Sequence, residues 1–197
     1  MNLVARVQAI LLKPKEEWVK IKDEPTTIQQ LFVPYAVILA AIPAVAQFLG
    51  WAVFSGFRIP FAGGNWIARA FFYAVFSYVL SLVVVYALGF IINVLAPNFS
   101  SAQSLPQAMK LAVYSMTPAW IMGIFNLIPA LGVLSILGSL YGLYLLYLGF
   151  ATPLMGTPKE KVAGYFVISL MVAVVLMFVV SIILGAAFAI RGVMAFF

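Results

Sequence analysis

The stretch that decides the fold is residues 111–158, LAVYSMTPAWIMGIFNLIPALGVLSILGSLYGLYLLYLGFATPLMGTP, a run of 48 residues without a charged side chain. A transmembrane helix needs only about 20 apolar residues, so this run is too long for a single span. Pro129 disfavours a helical conformation at Ile128, and residues 126–129 are therefore predicted to form a tight turn. The run predicts two membrane spans, near 107–127 and 130–151.

The rest of the chain has the same apolar character. Of its 197 residues, 65% are apolar and 8% are charged, and the mean hydropathy is +1.15. A soluble domain carries about 25% charged residues, so this composition excludes a soluble globular domain. Three further charge-free stretches predict spans near 31–54, 66–96 and 162–190. The predicted fold is an all-α polytopic membrane protein with a five-helix transmembrane bundle. An alternative has four spans, with 31–54 as a re-entrant or interfacial element because it contains Pro34 and Pro43.

The distribution of Lys and Arg predicts the orientation of the chain in the membrane. With five spans, one side of the membrane receives residues 1–30, 97–110 and 151–161. These segments hold eight Lys or Arg residues, and the opposite side holds three. Because cytoplasmic segments are enriched in basic residues, we expect a cytoplasmic N-terminus and a C-terminus outside. Lys110, near the end of a span, is expected to reach the membrane interface with its long side chain.

The composition also limits the chemistry. The chain has no Cys and no His, which excludes a thiolate nucleophile, an imidazole base, a Ser-His-Asp triad and a Cys/His zinc site. The five acidic residues all lie outside the predicted spans. We therefore expect no enzymatic activity, no metal and no cofactor. No basic block reaches five residues, so nucleic acid is not an expected partner.

Residues 1–30 are predicted to form a cytoplasmic, interfacial helical segment. Its first helix carries one apolar stripe of five residues, namely Leu3, Val4, Val7, Ile10 and Leu11. Pro14 is suited to the first turn of a second helix. The stripe can face the membrane surface, or it can pack under the bundle as a structural collar. Four residues are candidates for contact with lipid or a protein partner, because their types favour headgroup depth: Lys15, Trp18, Lys20 and Lys22.

Two groups of residues within the spans are candidates for function. In the third span, Pro118 leaves the carbonyl of Tyr114 without its usual helical partner, and Thr117 or Ser115 can compensate. Tyr114, Thr117 and Pro118 are therefore predicted to form a kink or to shape a cavity. Gly138 and Gly142 match the GxxxG pattern and predict a helix-packing or oligomer face.

Several of these residues resemble a known family. The motifs are LLKPKEEW at 11–18, Thr117-Pro118 after Tyr114, YGLYLLYLG at 141–149 and MGTPKEK at 155–161. Together they resemble bacterial members of the Yip family, whose eukaryotic relatives interact with Ypt/Rab GTPases in vesicle traffic. The resemblance implies a Yip-type transmembrane domain over 31–197, preceded by a cytoplasmic N-terminal segment. The short form fits a prokaryotic cell, so we expect a multi-pass protein of the cell inner membrane.

Two functions are open at this point. The first is a non-enzymatic membrane scaffold that binds membrane lipids or an unknown protein partner and forms a homo-oligomer. The alternative is a small channel or permease for a neutral or anionic solute, suggested by the hydroxyl-bearing faces of the spans. Solute flux into liposomes would separate these two functions.

Overall fold

The computed structural model describes residues 2–58, 66–152 and 154–194, and every regular element in these ranges is helical. The C-terminal residue 197, for which the sequence predicts an outside location, lies beyond the described residues. The helices, in chain order, are α1 (Leu3–Leu12), α2 (Pro14–Asp23), α3 (Ile28–Leu31), α4 (Val37–Arg58), α5 (Trp66–Leu95), α6 (Leu105–Ser115), α7 (Thr117–Met122), α8 (Ser135–Ala151) and α9 (Lys159–Met194). The all-α fold class predicted from the sequence is confirmed for the described ranges.

Three helical segments in the described ranges are long and apolar enough to cross a membrane. They are Ile28–Phe54, Ile67–Phe99 and Pro129–Ala151. Their positions agree with three of the predicted spans. The predicted span 162–190 falls within α9, which is 36 residues long.

A π-helical turn joins α3 to α4. Pro34 has no N–H to donate, and its ring would clash with the carbonyl four residues earlier in a regular α-helix. The wider turn Phe32–Ala36 removes this conflict, and the Val37 N–H then donates to the Phe32 carbonyl. The helical path from residue 28 to residue 54 is therefore continuous despite the proline.

The predicted span near 107–127 is not one helix but a broken segment at the centre of the molecule. Helix α6 ends at Ser115, α7 begins at Thr117, and a 3-10 turn (Gly123–Leu127) follows. The break occurs because Pro118 cannot bond to the carbonyl of Tyr114. Helices α4, α5 and α8 pack around the segment, and every residue from 108 to 115 is buried. Irregular backbone at membrane depth is tolerated where protein surrounds it.

The segments that the Lys and Arg distribution assigns to one side come together at one end of the molecule. After α5, the Ala102 N–H donates to the Met155 carbonyl, which follows α8, at 2.7 Å. The Gln107 side-chain amide donates to the Lys22 carbonyl at 2.9 Å. The α1–α2 hairpin, residues 3–23, therefore lies at the same end as these two connections. We call this hairpin the collar.

Candidate functional site

The candidate site is a polar and aromatic cluster where the collar meets the broken central segment. Tyr114 of α6 is fully buried and lies at its centre. Its ring makes edge-to-face contacts with Tyr35, at 4.9 Å between centroids, and with Trp18, at 6.3 Å. The Arg6 guanidinium lies 5.7 Å from the Tyr114 ring centroid. Both kinds of contact are favourable at these separations, so one side chain connects α1, α2, the π turn and α6.

Thr117 bonds to a residue that the sequence analysis did not select. Its hydroxyl lies 2.7 Å from the Tyr35 hydroxyl, and both residues are fully buried. Thr117 therefore pairs with Tyr35, whereas the sequence suggested Thr117 or Ser115 as the residue that compensates at the Tyr114 carbonyl. Pro118 is buried at the second position of α7, where a helix needs no backbone N–H. The predicted group Tyr114, Thr117 and Pro118 is thus one packed junction within the protein interior.

The two glycines of the GxxxG pattern pack against this same junction. A Cβ atom at Gly138 would lie 2.6 Å from the Pro118 carbonyl oxygen. A Cβ atom at Gly142 would lie 2.7 Å from the Ser115 carbonyl oxygen. Only glycine permits this approach of α8 to α6 and α7. The face is covered by the same chain, so it does not lie open to a second copy.

Ionic contacts hold the collar together. The Arg6 guanidinium on α1 donates to the carboxylates of Glu17 on α2 and Glu24 just after it. The side chains of Arg6 and Glu17 are only 10% and 7% exposed. Removing one partner of a buried ion pair leaves an uncompensated charge, which costs about 3–5 kcal/mol. Arg6 on α1 therefore joins this helix to α2 and to the residue that follows α2.

Lys110 attaches the collar to the central segment. The prediction that its side chain reaches the membrane interface is wrong, because Lys110 is only 3% exposed. Its ammonium group donates to the carbonyls of Ile21, at 2.7 Å, and Glu24, at 2.6 Å. The last carbonyls of a helix have no partner within it and form the negative end of its dipole. Lys110 thus supplies the positive charge that the end of α2 requires.

Of the four candidate contact residues on the collar, one lies in the protein interior and the other three are exposed or half-buried. Trp18 is fully buried, and a Cβ atom at Gly149 would lie 3.1 Å from its ring. Trp18 is therefore part of the packing between the collar and α8. Lys15 and Lys20 are exposed and Lys22 is half-buried. The lysines, and not the tryptophan, remain available to a lipid or a protein partner.

Several residues that build this site were not predicted from the sequence. Arg6, Tyr35 and Gly149 contact partners that are distant in the sequence, and their local patterns carry no sign of those partners. The nearest signal was Tyr35 directly after Pro34, a polar aromatic residue at an irregular turn. Within the described ranges, no three His, Cys, Asp or Glu side chains come together as a metal site would require.

Comparison with known proteins gives matches over most of the chain. A sequence model of the Yip1 domain matches residues 9–183. Similar proteins include the inner membrane protein YohC of Escherichia coli strain K12 and the protein of the same name in E. coli O6:H1 strain CFT073. Each is 28% identical over 154 residues, which cover 74% of this chain and 77% of the relative. No solved structure matches this chain.

Proposed function

Because this chain belongs to the Yip1 domain family, we propose that it is a five-pass inner membrane protein that acts as a non-enzymatic scaffold. The inner-membrane relatives in E. coli support the location. The three apolar segments supply three passes. Helix α9 supplies a fourth, since 36 residues extend about 54 Å and the hydrocarbon core is about 30 Å thick. The broken segment, residues 105–127, supplies the fifth.

The connections support five passes. The collar, the connection after α5 and the connection after α8 meet at one end of the molecule. The chain must therefore cross the membrane an even number of times between one of these segments and the next. Helices α4 and α5 form the first pair, and the broken segment and α8 form the second. The excess of Lys and Arg at this end favours the cytoplasm. We therefore propose a cytoplasmic N-terminus and, after the fifth pass, a C-terminus outside.

The observation that carries the scaffold proposal is the junction at Tyr114. Thr117, one of the hydroxyl-bearing residues of the predicted spans, is used in packing, because it bonds to Tyr35 in the buried interior. The same junction fixes a charged, folded collar to the membrane-embedded helices. A rigid core with a fixed charged surface is suited to holding lipids or a protein partner. A homo-oligomer would need a surface other than the Gly138 and Gly142 face.

Flux measurements test the scaffold against the channel or permease alternative. The purified protein is reconstituted into liposomes, and the uptake of neutral and anionic solutes is followed against protein-free liposomes. We expect no protein-dependent flux. A saturable flux that falls in the Thr117→Val variant, while the folded yield is retained, would refute the scaffold and favour a permease. The matched control is Thr152→Val, which lies at the end of α8, outside the junction.

A further inference from the structure

A polar groove lies between the two helices of the collar, and we call it the collar groove. Its volume is about 520 Å³, which is within the range of small-molecule sites. The groove is lined by Asn2, Ala5, Arg6, Ala9, Glu17, Lys20 and Glu24. These residues belong to α1 and α2 or directly adjoin them, so the groove does not depend on how the bundle crosses the membrane.

The buried charges of the collar groove do not balance. The Arg6 guanidinium donates to the carboxylates of both Glu17 and Glu24. One positive and two negative charges leave this trio with a net charge of −1. The side chains of Arg6 and Glu17 are almost fully buried. Because an uncompensated charge away from water is costly, the trio requires a further positive charge.

Lys20 supplies this charge through a weak contact. Its ammonium group lies 3.5 Å from Oε2 of Glu17, and its side chain is 70% exposed. An ion pair with such an exposed partner contributes little, because water screens it. The Lys20 ammonium therefore marks a position that accepts a positive charge, and a ligand can displace it at little cost.

The lining of the groove favours an organic cation. Ca²⁺ and Mg²⁺ take six or more oxygen ligands, whereas the groove offers two carboxylates that already accept from Arg6. Ala5 and Ala9 are four residues apart and so lie on the same side of α1. Their methyl groups leave space in the groove and form an apolar wall. An alkyl chain that ends in an ammonium group matches both the wall and the carboxylates.

We propose that the collar groove binds a small primary alkylammonium compound. Its ammonium group takes the place of Lys20 at the carboxylates of Glu17 and Glu24, and its alkyl chain lies against the alanine wall. A buried charged trio is often no more stable than apolar residues of the same volume. The chain has only five acidic residues, and a ligand explains why two of them line this groove. The inference goes beyond the scaffold function, because it assigns a ligand to the collar.

Binding of n-butylammonium tests the class of ligand. The full chain in nanodiscs is titrated with n-butylammonium, and saturation-transfer NMR gives the dissociation constant against empty nanodiscs. The control ligand is n-butanol, which has the same alkyl chain and no charge. We expect saturable binding of the cation and about tenfold weaker binding of the alcohol. Equal binding of the two compounds would overturn the proposal, because the alkyl chain alone would account for it.

The Lys20→Gln variant tests the position of the ligand. Removal of the competing ammonium group should tighten the binding of n-butylammonium about fivefold. The matched control is Lys15→Gln, which removes an exposed lysine of α2 that does not line the groove. We expect it to change the affinity less than twofold. Equal effects of the two variants would overturn the proposal, because they would indicate a general surface potential. Weaker binding in Lys20→Gln would also overturn it, because the lysine would then assist the ligand.

The Glu24→Gln variant tests the carboxylates. It leaves the ion pair of Arg6 with Glu17 in place, and it should weaken the binding of n-butylammonium about tenfold. The matched control is Glu16→Gln, an exposed position of α2 outside the groove, where we expect less than a twofold change. An unchanged affinity in folded Glu24→Gln would overturn the proposal.

The two lysine variants keep the test decisive if Glu24→Gln does not fold, because both lysines are exposed. The result is also distinguishable from that of the flux assay. Flux of neutral or anionic solutes would refute the scaffold and leave the affinity for n-butylammonium unchanged. Absence of n-butylammonium binding would refute the ligand site and leave the flux result unchanged.

Discussion

Replacement of Lys110 by Met should release the collar while the helix bundle stays folded. The variant retains a side chain of similar length and removes the ammonium group. Two carbonyls at the end of α2, those of Ile21 and Glu24, then lose their donor. Because these two bonds attach α2 to α6, the free energy of collar opening should fall more than that of the whole protein.

The size of the effect follows from two opposing terms. A hydrogen bond to a charged group contributes about 1.5–3 kcal/mol, so the two bonds together contribute about 3–6 kcal/mol. The variant also relieves the cost of burying an ammonium group, which reaches several kcal/mol in proteins. We expect a net loss of about 2 kcal/mol, which corresponds to about a 30-fold increase in the equilibrium constant for collar opening.

Hydrogen exchange in nanodiscs measures this change directly. Amides of α2 should exchange about 30-fold faster in Lys110→Met, whereas amides of α8 should keep their rates. The control is Lys20→Met, because the Lys20 side chain is 70% exposed and its ammonium group lies 3.5 Å from the Glu17 carboxylate. Because the lysine is largely exposed to solvent, the loss of its charge should cost less than about 1 kcal/mol. Unchanged exchange of α2 in Lys110→Met would refute the reasoning, and equal acceleration of α2 and α8 would show that Lys110 supports the whole bundle.

Three further outcomes are expected. Gly142→Ala should lower the free energy of unfolding in detergent by about 1–3 kcal/mol, because its Cβ would lie 2.7 Å from the Ser115 carbonyl oxygen. Gly164→Ala, whose Cβ meets its nearest neighbour at 3.5 Å, should be neutral or stabilising, and an equal loss in both would contradict this account. Tyr35→Phe and Thr117→Val should each cost about 1 kcal/mol, with a coupling of about 0.6–1.7 kcal/mol in a double-mutant cycle. Zero coupling would mean that the two hydroxyls do not bond. Pro118→Ala should change the midpoint of thermal unfolding only slightly, since its position in α7 needs no backbone N–H, and loss of the folded protein would disprove this.

The sequence predicts the features that depend on local composition. Three of the predicted apolar spans were correctly placed because the charge-free runs exceed the length of a span. The resemblance to the Yip family is also confirmed, because its motifs occur along most of the chain. The proline at 118 predicted a kink, but not that the segment breaks into α6, α7 and a 3-10 turn. The extent of a break depends on the surrounding helices, and a local pattern does not contain them.

The contacts of the collar could not be predicted from the local sequence pattern. The apolar stripe of α1 has helical spacing, and this spacing indicates that one face is buried. It does not identify what buries the face, and the sequence analysis left both membrane and bundle open. Arg6 and Lys110 were not assigned partners because their contacts lie 11 to 89 residues away. Trp18 has the residue type of a headgroup contact, but Gly149 provides a place for its ring inside the protein.

The hydrogen bond between Leu11 and Tyr141 joins residues 130 positions apart, and this separation has a consequence for biosynthesis. At a synthesis rate of about 5–20 residues per second, α1 waits roughly 7–26 s before its partner on α8 has been made. During that interval the apolar stripe of α1 has no protein surface to cover it. A nascent chain that keeps this helix on the membrane surface would shield the stripe until α8 arrives.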